Sequence, residues 1–326
     1  MKIFITGGTG FIGKHLISRL SKTKHELVCL VRETSKVDEL QELGVTLVTG
    51  DVTDKDSVCD GMRGCDWVAN LANVYTVWEP DKNIYTEVNI NGTRNVMECA
   101  LENKVSRVVH VSTIAIYGKP DVAPIREDTT PGSEFLSEYS RTKYEGDKIA
   151  WDLYKNKGLP LTVIYPCPVL GPGDTKVTGE LIWGLVNHAL PATAFHNSTM
   201  TYVDVKDVAE MIVHVFEKKD TIGEKYIAGK EQLSFDDFYR IVSETSGVPL
   251  PGIHMPDIVV EYLAKFLTFL ADRLKLSPQF GMSVDGVKLS KEGILADGSK
   301  AERELGITYT PLWRTIDEAV QFLRTQ

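Results

Sequence analysis

The sequence predicts an α/β fold, a doubly wound parallel sheet with a smaller, discontinuous, mainly helical lobe. Two observations carry this. Short β-branched runs alternate with longer helical patterns as far as Tyr165, which is the signature of a parallel sheet covered on both faces. Beyond that point the pattern loosens into Pro166, Pro168, Gly171, Pro172 and Gly173, too rigid and too glycine-rich for an element interior. The chain of 326 residues, 43% hydrophobic and 25% charged, has globular composition and excludes a disordered, collagen-like or coiled-coil protein.

In order, Lys2–Thr6 reads as a strand followed by a helix to about Leu20, Glu26–Val31 as a strand before a helix near Val37–Leu43, and Val45–Thr49 as a strand before a helix near Ser57. Trp67–Leu71 then precedes a long helix around Asn83–Glu102, and Arg107–Ser112 precedes a helix at about Glu138–Lys157, with Leu161–Tyr165 closing the series. Thr201–Val205 and Lys206–Lys218 are expected to return to the sheet as one more strand and helix. Phe235–Gly247, Pro256–Leu274 and Trp313–Arg324 are expected to be helices of the smaller lobe.

Thirty-six basic against forty-five acidic residues leave a net charge of −9, which argues against a nucleic-acid or anionic-membrane surface as the main role; any positive site must be local. Cys29, Cys59, Cys65, Cys99 and Cys167 are odd in number and form no C-x-x-C pair, so free thiols are expected, with neither a disulfide framework nor a zinc or other metal site. Residues 1–13 lack a basic segment leading into a long apolar stretch, so the expected location is cytoplasmic. The most apolar window, Ile258 to Leu274, contains Glu261, Lys265, Asp272 and Arg273 and reads as an amphipathic helix, not an integral membrane span.

Gly7-Gly8-Thr9-Gly10-Phe11-Ile12-Gly13 joins the first strand to the first helix, where helix N–H groups can receive a dinucleotide pyrophosphate. It satisfies both G-x-G-x-x-G and G-x-x-G-x-x-G spacing. The expected dinucleotide-binding domain is therefore 1–170, with 201–220 returning to it; 171–200 and 221–326 are expected to form most of the substrate lobe. At the end of the second strand, where a carboxylate usually reads the ribose of NAD, stand Val31 and Arg32, with Ser35 and Lys36 close behind. A guanidinium suits the 2′-phosphate of NADP, the expected cofactor as NADPH, while Glu33 keeps NAD open. Asp51 can accept from the adenine amino group beside the Val52 backbone, or cap a turn.

Tyr-x-x-x-Lys occurs four times, at Tyr139/Lys143, Tyr144/Lys148, Tyr202/Lys206 and Tyr226/Lys230. On a helix this spacing places both side chains on one face, and the ammonium can lower the phenol's pKa toward the working pH. Position separates the copies. Tyr139 starts its helix after a strand ending Val111-Ser112-Thr113 at the sheet's carboxyl edge, the edge of the glycine turn. Tyr144 points roughly 140° away around the same helix.

These residues resemble the extended short-chain dehydrogenase/reductase superfamily, a Rossmann-fold group overlapping the NAD-dependent epimerases and dehydratases. The likeness is carried by Thr6–Gly13, Gly50-Asp51, Asn89-Ile90-Asn91-Gly92-Thr93, Ser112-Thr113 before Tyr117-Gly118, Tyr139-Ser140-Arg141-Thr142-Lys143, Gly171-Pro172-Gly173-Asp174 and Tyr202-Val203-Asp204-Val205. Val31–Ser35 and Val77-Trp78 are most similar to the dihydroflavonol-reductase-like branch. The resemblance implies a catalytic set of Thr113, Tyr139 and Lys143. It implies cofactor contacts from Gly7, Thr9, Gly10, Phe11, Ile12, Leu71, Ala72, Asn73, Pro166 and Val169, besides Arg32, Ser35, Lys36, Asp51, Val52, Tyr139 and Lys143. In this family homodimers through the helices near 83–102 and 138–157 are frequent and monomers also occur, so the resemblance leaves both open. Asn70 stands where a His is common, and Tyr165-Pro166 where many relatives have Arg-Pro.

Three functions follow as expectations. The first is reduction of a ketone or aldehyde on a largely apolar small molecule, because Thr199-Met200-Thr201 offers no cation before Tyr202 for a nucleotide-sugar diphosphate, and the 175–200 loop with Phe195 and the 255–280 helix supply an apolar wall. The second is a nucleotide-sugar epimerase or dehydratase with internally recycled cofactor. The third is a non-catalytic NADP-binding sensor. Cys167 reads as a packed thiol, and His188 and His196 as surface, core or pocket residues.

Overall fold

The computed structural model describes all 326 residues. Ten strands form two sheets: β1 (Lys2–Thr6), β2 (Glu26–Val31), β3 (Thr46–Thr49), β4 (Trp67–Asn70), β5 (Arg107–Val111), β6 (Leu161–Pro166), β7 (Val169–Leu170), β8 (Thr199–Asp204), β9 (Lys225–Ala228) and β10 (Glu231–Ser234). The main sheet runs β3-β2-β1-β4-β5-β6-β9, and every pairing in it is parallel. Its central strands are buried along their length because helices cover both faces, which is why they read as apolar runs rather than alternations. The strand order reverses between β1 and β4, so a crevice opens where Thr6 faces Asn70.

Helices α1 (Phe11–Leu20), α2 (Asp38–Glu42), α3 (Lys55–Met62), α4 (Thr93–Glu102), α5 (Glu138–Lys157) and α7 (Val205–Glu217) flank this sheet, and α6 (Val177–Val186) precedes β8. The remainder is α8 (Phe235–Ser246), α9 (Asp257–Leu274), α10 (Val284–Glu292), α11 (Ser299–Leu305) and α12 (Leu312–Arg324). A second, smaller apolar core gathers Leu170, Ile182, Tyr202, Phe238, Val242 and Ile316 beside the main one.

Four expectations are corrected. Thr201–Val205 does not return to the main sheet: β8 lies between β7 and β10 in a separate three-stranded sheet, and the seventh strand is β9, from the region expected to be lobe. Both segments are short apolar runs, and only tertiary packing chooses between them. The helix around Asn83–Glu102 is not uniform; Tyr85–Gly92 is wound as a π-helix before α4. The cysteines are not all free, because α3 and α4 lie side by side with Cys59 and Cys99 bonded, Cα atoms 4.9 Å apart; Cys29, Cys65 and Cys167 remain thiols. Phe195, expected on an apolar wall, is buried in the smaller core against Phe235. No helix is long and apolar enough to cross a membrane.

Candidate active site

The carboxyl end of β1 is shaped by glycines that no other residue could replace in place. Gly7 has φ +72°, and a Cβ there would meet Ala72 N at 2.7 Å. A Cβ on Gly13 would lie 2.2 Å from Gly7 O. The turn therefore lies directly on the segment after β4, and Gly10 begins α1 without a side-chain cap, leaving the first-turn N–H groups of Phe11 and Ile12 without a side-chain acceptor. Thr6 holds the two strand ends together, donating to Asn70 Oδ1 at 2.6 Å and accepting from Ala72 N at 3.2 Å. Leu71 is buried behind it, Ala72 and Asn73 are half-buried, and Thr9 stands half-exposed at the turn.

Around this crevice the donor and acceptor inventory fits a dinucleotide. Asn73 donates to Leu71 O at 3.0 Å, but its buried Oδ1 finds no partner within the protein. Val31 is buried while Arg32, Ser35 and Lys36 form the open turn beyond β2, with Arg32 and Lys36 in no ion pair. Asp51 Oδ1 accepts from Thr53 N and Thr53 Oγ1, both at 2.9 Å, so this carboxylate caps its turn as the alternative reading had it. Val52 is buried beside it, its carbonyl taken by Asn95. Pro166 closes β6 opposite Ala228, and Val169 opens β7.

On the other side of the crevice, Ser137 caps α5 by accepting from Ser140 N at 3.1 Å, and the first turns of that helix carry Tyr139 and Lys143 inward. Both are almost wholly buried. Lys143 Nζ donates to Val111 O at 3.0 Å, at the end of β5, two residues before Thr113. Thr113 caps the short helical turn at Ile114–Tyr117 by accepting from Ala115 N at 3.2 Å, and its hydroxyl lies close enough to the Tyr139 phenol to favour the ionised form. The structure thus brings Thr113, Tyr139 and Lys143 to one place. Tyr75, on the loop after β4, sets its ring edge-on to Tyr139 with centroids 5.2 Å apart.

Burial dominates the electrostatics of this set. It pushes the Tyr139 phenol well above its ordinary value, and the Thr113 hydroxyl offsets this only in part. The ammonium of Lys143 donates to Val111 O and lies in the field of Asp147 one turn along α5. Burial drops Lys143 to about 8, opposed by Asp147, and raises Asp147 to about 6, opposed by the Tyr165 hydroxyl, Lys143 and Ser112. Tyr165 donates to Asp147 Oδ2 at 2.9 Å and accepts from Trp151 Nε1 at 3.0 Å.

The other Tyr-x-x-x-Lys copies have structural work. Tyr144 packs on Phe135, Tyr202 stacks on Phe238, and Tyr226 donates to Glu304. His196 pairs with Asp236 on the small lobe, and His188 is exposed after α6. Burial raises the Cys167 thiol far above its ordinary range, so it is a packed thiol.

With this geometry the comparisons agree. A model of the NAD dependent epimerase/dehydratase family matches residues 3–229. The chain belongs to that family. Within it, the chain is 30% identical to a Synechocystis protein named for dihydroflavonol 4-reductase, over 98% of this chain and 94% of that one. It is 27% identical to sterol demethylase protein B of Methylococcus capsulatus over 99% and 98%, and 28% identical to cinnamoyl-CoA reductase 1 of Petunia hybrida over 99% and 92%. The crystal structure of gox2253 superposes with a TM-score of 0.84 at 30% identity, covering 99% of this chain and 98% of that one. UDP-glucuronic acid 4-epimerase of Bacillus cereus superposes at 0.81 with 24% identity, covering 100% and 99%, a likeness of fold. The protein is therefore an NAD(P)-dependent oxidoreductase of the extended short-chain dehydrogenase/reductase type, in the branch of dihydroflavonol- and cinnamoyl-CoA-reductase-like members.

Three residues near the family's crevice escaped sequence reasoning, and a fourth, Tyr165, stood out only as a departure from the Arg-Pro of many relatives. Tyr75 and Asp147 belong to no motif used above. His110 is buried with Nδ1 3.1 Å from Asn70 Nδ2, its Nε2 without a partner, and burial beside Lys143 keeps it neutral. Asn89 was visible in its motif; the π-turn aims its amide so that Oδ1 accepts from Val74 N at 2.8 Å and Nδ2 donates to Thr142 Oγ1 at 3.2 Å, joining the β4 loop to α5.

Proposed function

We propose that this protein is an NADPH-dependent reductase of a ketone or aldehyde carried on a largely apolar body, with Tyr139 as proton donor. The observation that carries the reading is Tyr139 itself, a buried phenol that keeps its proton and stands beside the Thr113 hydroxyl on the crevice side of α5. The nicotinamide, when bound, supplies the hydride. Thr113 and Tyr139 then hold the substrate carbonyl oxygen between two hydroxyls, and the Tyr139 proton moves to that oxygen as negative charge develops on it. Lys143, buried and anchored on Val111 O, keeps a positive charge beside the phenolate left behind.

The dinucleotide-binding set is Gly7, Thr9, Gly10, Phe11, Ile12, Leu71, Ala72 and Asn73 around the crevice, Asp51 and Val52 at the adenine end, Tyr139 and Lys143 on α5, and Pro166 and Val169 after β6. Arg32, Ser35 and Lys36 favour NADPH over NADH. The domain division at about residue 170 and self-association through 83–102 and 138–157 belong to the same proposal. An apolar substrate is supported by the strand before Tyr202, where Met200 and Thr201 are buried and no cation stands.

The test is a panel of hydrophobic ketones and aldehydes followed at the NADPH absorbance band, beside UDP- and GDP-sugars assayed for epimer formation. Net NADPH oxidation with the ketones is the expected result. Sugar turnover without net cofactor oxidation replaces this reading with the epimerase one, and binding without any turnover replaces it with the sensor.

A further inference from the structure

The face of the main sheet beneath α5 carries a row of polar side chains in the middle of an apolar core. Thr6, Asn70 and His110 stand side by side in register across β1, β4 and β5. Ser112 follows His110 on the same face, and Tyr165 is its neighbour on β6, one step past the Val111–Ile164 pair. All five are at most 5% exposed. Helix α5 answers them with Lys143, Asp147 and Trp151, spaced four residues apart on one helix face. Lys143 and Asp147 are buried in turn. Apolar residues of similar volume would fill this layer at lower cost, so stability does not account for an ammonium and a carboxylate here.

The hydrogen bonds run in one direction. The indole Nε1 of Trp151 can only donate, and it donates to the Tyr165 hydroxyl at 3.0 Å. The Tyr165 proton is thereby turned to Asp147 Oδ2, 2.9 Å away, a bond that favours the ionised carboxyl. Edge-on contact with Tyr117, ring centroids 5.9 Å apart, fixes the Tyr165 ring. Asp147 Oδ1 meets no donor within the protein, and Lys143 makes a single hydrogen bond, to Val111 O. The charge of Asp147 is therefore not consumed by a direct ion pair and acts on the ammonium across one helical turn. No other group around the pair takes its place: burial keeps His110 neutral and Tyr117 and Tyr139 protonated, the Ser112 hydroxyl favours the carboxylate, and Lys225, over the Trp151 ring at 5.2 Å, is a further cation. Asp147 is the one anion that acts on Lys143.

We propose that Tyr165 is a positioning residue for Lys143: its hydroxyl fixes the Asp147 carboxylate, still charged, one turn behind the lysine, and that charge keeps Lys143 an ammonium on the helix face it shares with Tyr139. A phenol suits the task because it orients the carboxylate without bringing a charge of its own. The consequence for turnover rests on the reading of Tyr139 and Lys143 as the reductase pair; the protonation of Lys143 does not.

The experiment follows the Lys143 side chain itself. The full chain is labelled with lysine carrying carbon-13 at Cε, and the Lys143 resonance, identified by its absence from Lys143→Arg, is followed by NMR as pH is raised. Wild type, Tyr165→Phe, Asp147→Asn and Asp147→Glu are compared, with circular dichroism to check that each is folded. Wild type is expected to titrate at about 8. The midpoint should fall by about one pH unit in Asp147→Asn, fall by less in Tyr165→Phe, and return toward the wild-type value in Asp147→Glu. A midpoint that Tyr165→Phe leaves in place overturns the proposal, as does one that Asp147→Asn leaves in place. A midpoint as low in Asp147→Glu as in Asp147→Asn overturns it too, by tracing the shift to packing. The alkaline limb of kcat/KM is expected to move with the midpoint in Tyr165→Phe. A wild type that reduces no carbonyl compound while the midpoints shift as expected sinks the reductase reading and leaves the role of Tyr165 standing.

Discussion

Tyr139 and Tyr144 share a motif and a helix, yet one is buried beside Thr113 and the other packs on Phe135, so paired substitutions test the assignment. Tyr139→Phe removes the proton donor and keeps the ring: turnover is expected to fall by roughly 10²- to 10⁴-fold with NADPH affinity retained, and Tyr144→Phe to leave both nearly intact. At the other end of the crevice, Arg32→Ala should cost NADPH on the order of 1.5 to 3 kcal/mol in binding and leave NADH unchanged, which calorimetry with both dinucleotides reads directly. The third residue-scale expectation concerns pH. Lys143 sits at about 8 in the fold against an ordinary 10.5, so the cost of keeping its ammonium buried is fully present below about pH 8 and is relieved as pH rises toward 10.5. Asp147 sits at about 6 against 3.8, so its contribution is most favourable below 3.8 and is lost as pH rises through 6. The Asp147 charge props up the lysine. Asp147→Asn should therefore move the alkaline limb of the kcat/KM profile to lower pH, and Asp147→Glu should restore it; a limb that stays in place separates Asp147 from Lys143.

Elements were legible where a local rule decides them. The glycine turn follows from a strand, a close approach and a helix start within a dozen residues, and Gly13→Ala, whose Cβ would meet Gly7 O at 2.2 Å, tests it: thermal stability and dinucleotide affinity should fall together, by about 1 to 3 kcal/mol in unfolding free energy. Elements that depend on distant partners were not legible. Thr199–Asp204 and Lys225–Ala228 are both short strands, and α7 touches both, but α11 packs on β9, which pairs with β6 in the main sheet. The π-turn at Tyr85–Gly92 departs from a helical pattern that its own residues satisfy; the reason lies across the crevice, in the bonds of Asn89 to Val74 and Thr142. The Cys59–Cys99 bond joins residues forty apart, which spacing alone does not pair. Likewise the apolar residues of α9 announced a helix, but amphipathic periodicity does not say whether the apolar side faces a core, a cleft or the outside.

At the scale of the whole molecule, a large apolar core built on the main sheet stands beside a smaller one that gathers Leu170, Tyr202 and Phe238. The candidate residues of the sheet side were legible through two local rules, the turns that follow β1, β4 and β5 and the Tyr-x-x-x-Lys spacing at the start of α5. The lobe side has no comparable rule, and Phe195, expected on its wall, is buried in the smaller core. A ligand bound in the crevice favours the folded state over the unfolded one by mass action, which turns cofactor choice into a property of global stability. At a hundred times its dissociation constant a dinucleotide adds about 2.7 kcal/mol, and for a chain of this size each kcal/mol raises the melting temperature by about 2 °C. Saturating NADPH should therefore raise the midpoint by about 5 °C in a thermal scan, and NADH at the same concentration by clearly less. The Arg32→Ala protein should show equal shifts with the two, since the 2′-phosphate then meets no guanidinium. An NADH shift as large as that of NADPH in the wild type would place the ribose of NAD, and not a 2′-phosphate, beside Arg32, and would move the chain toward the epimerase members of its family.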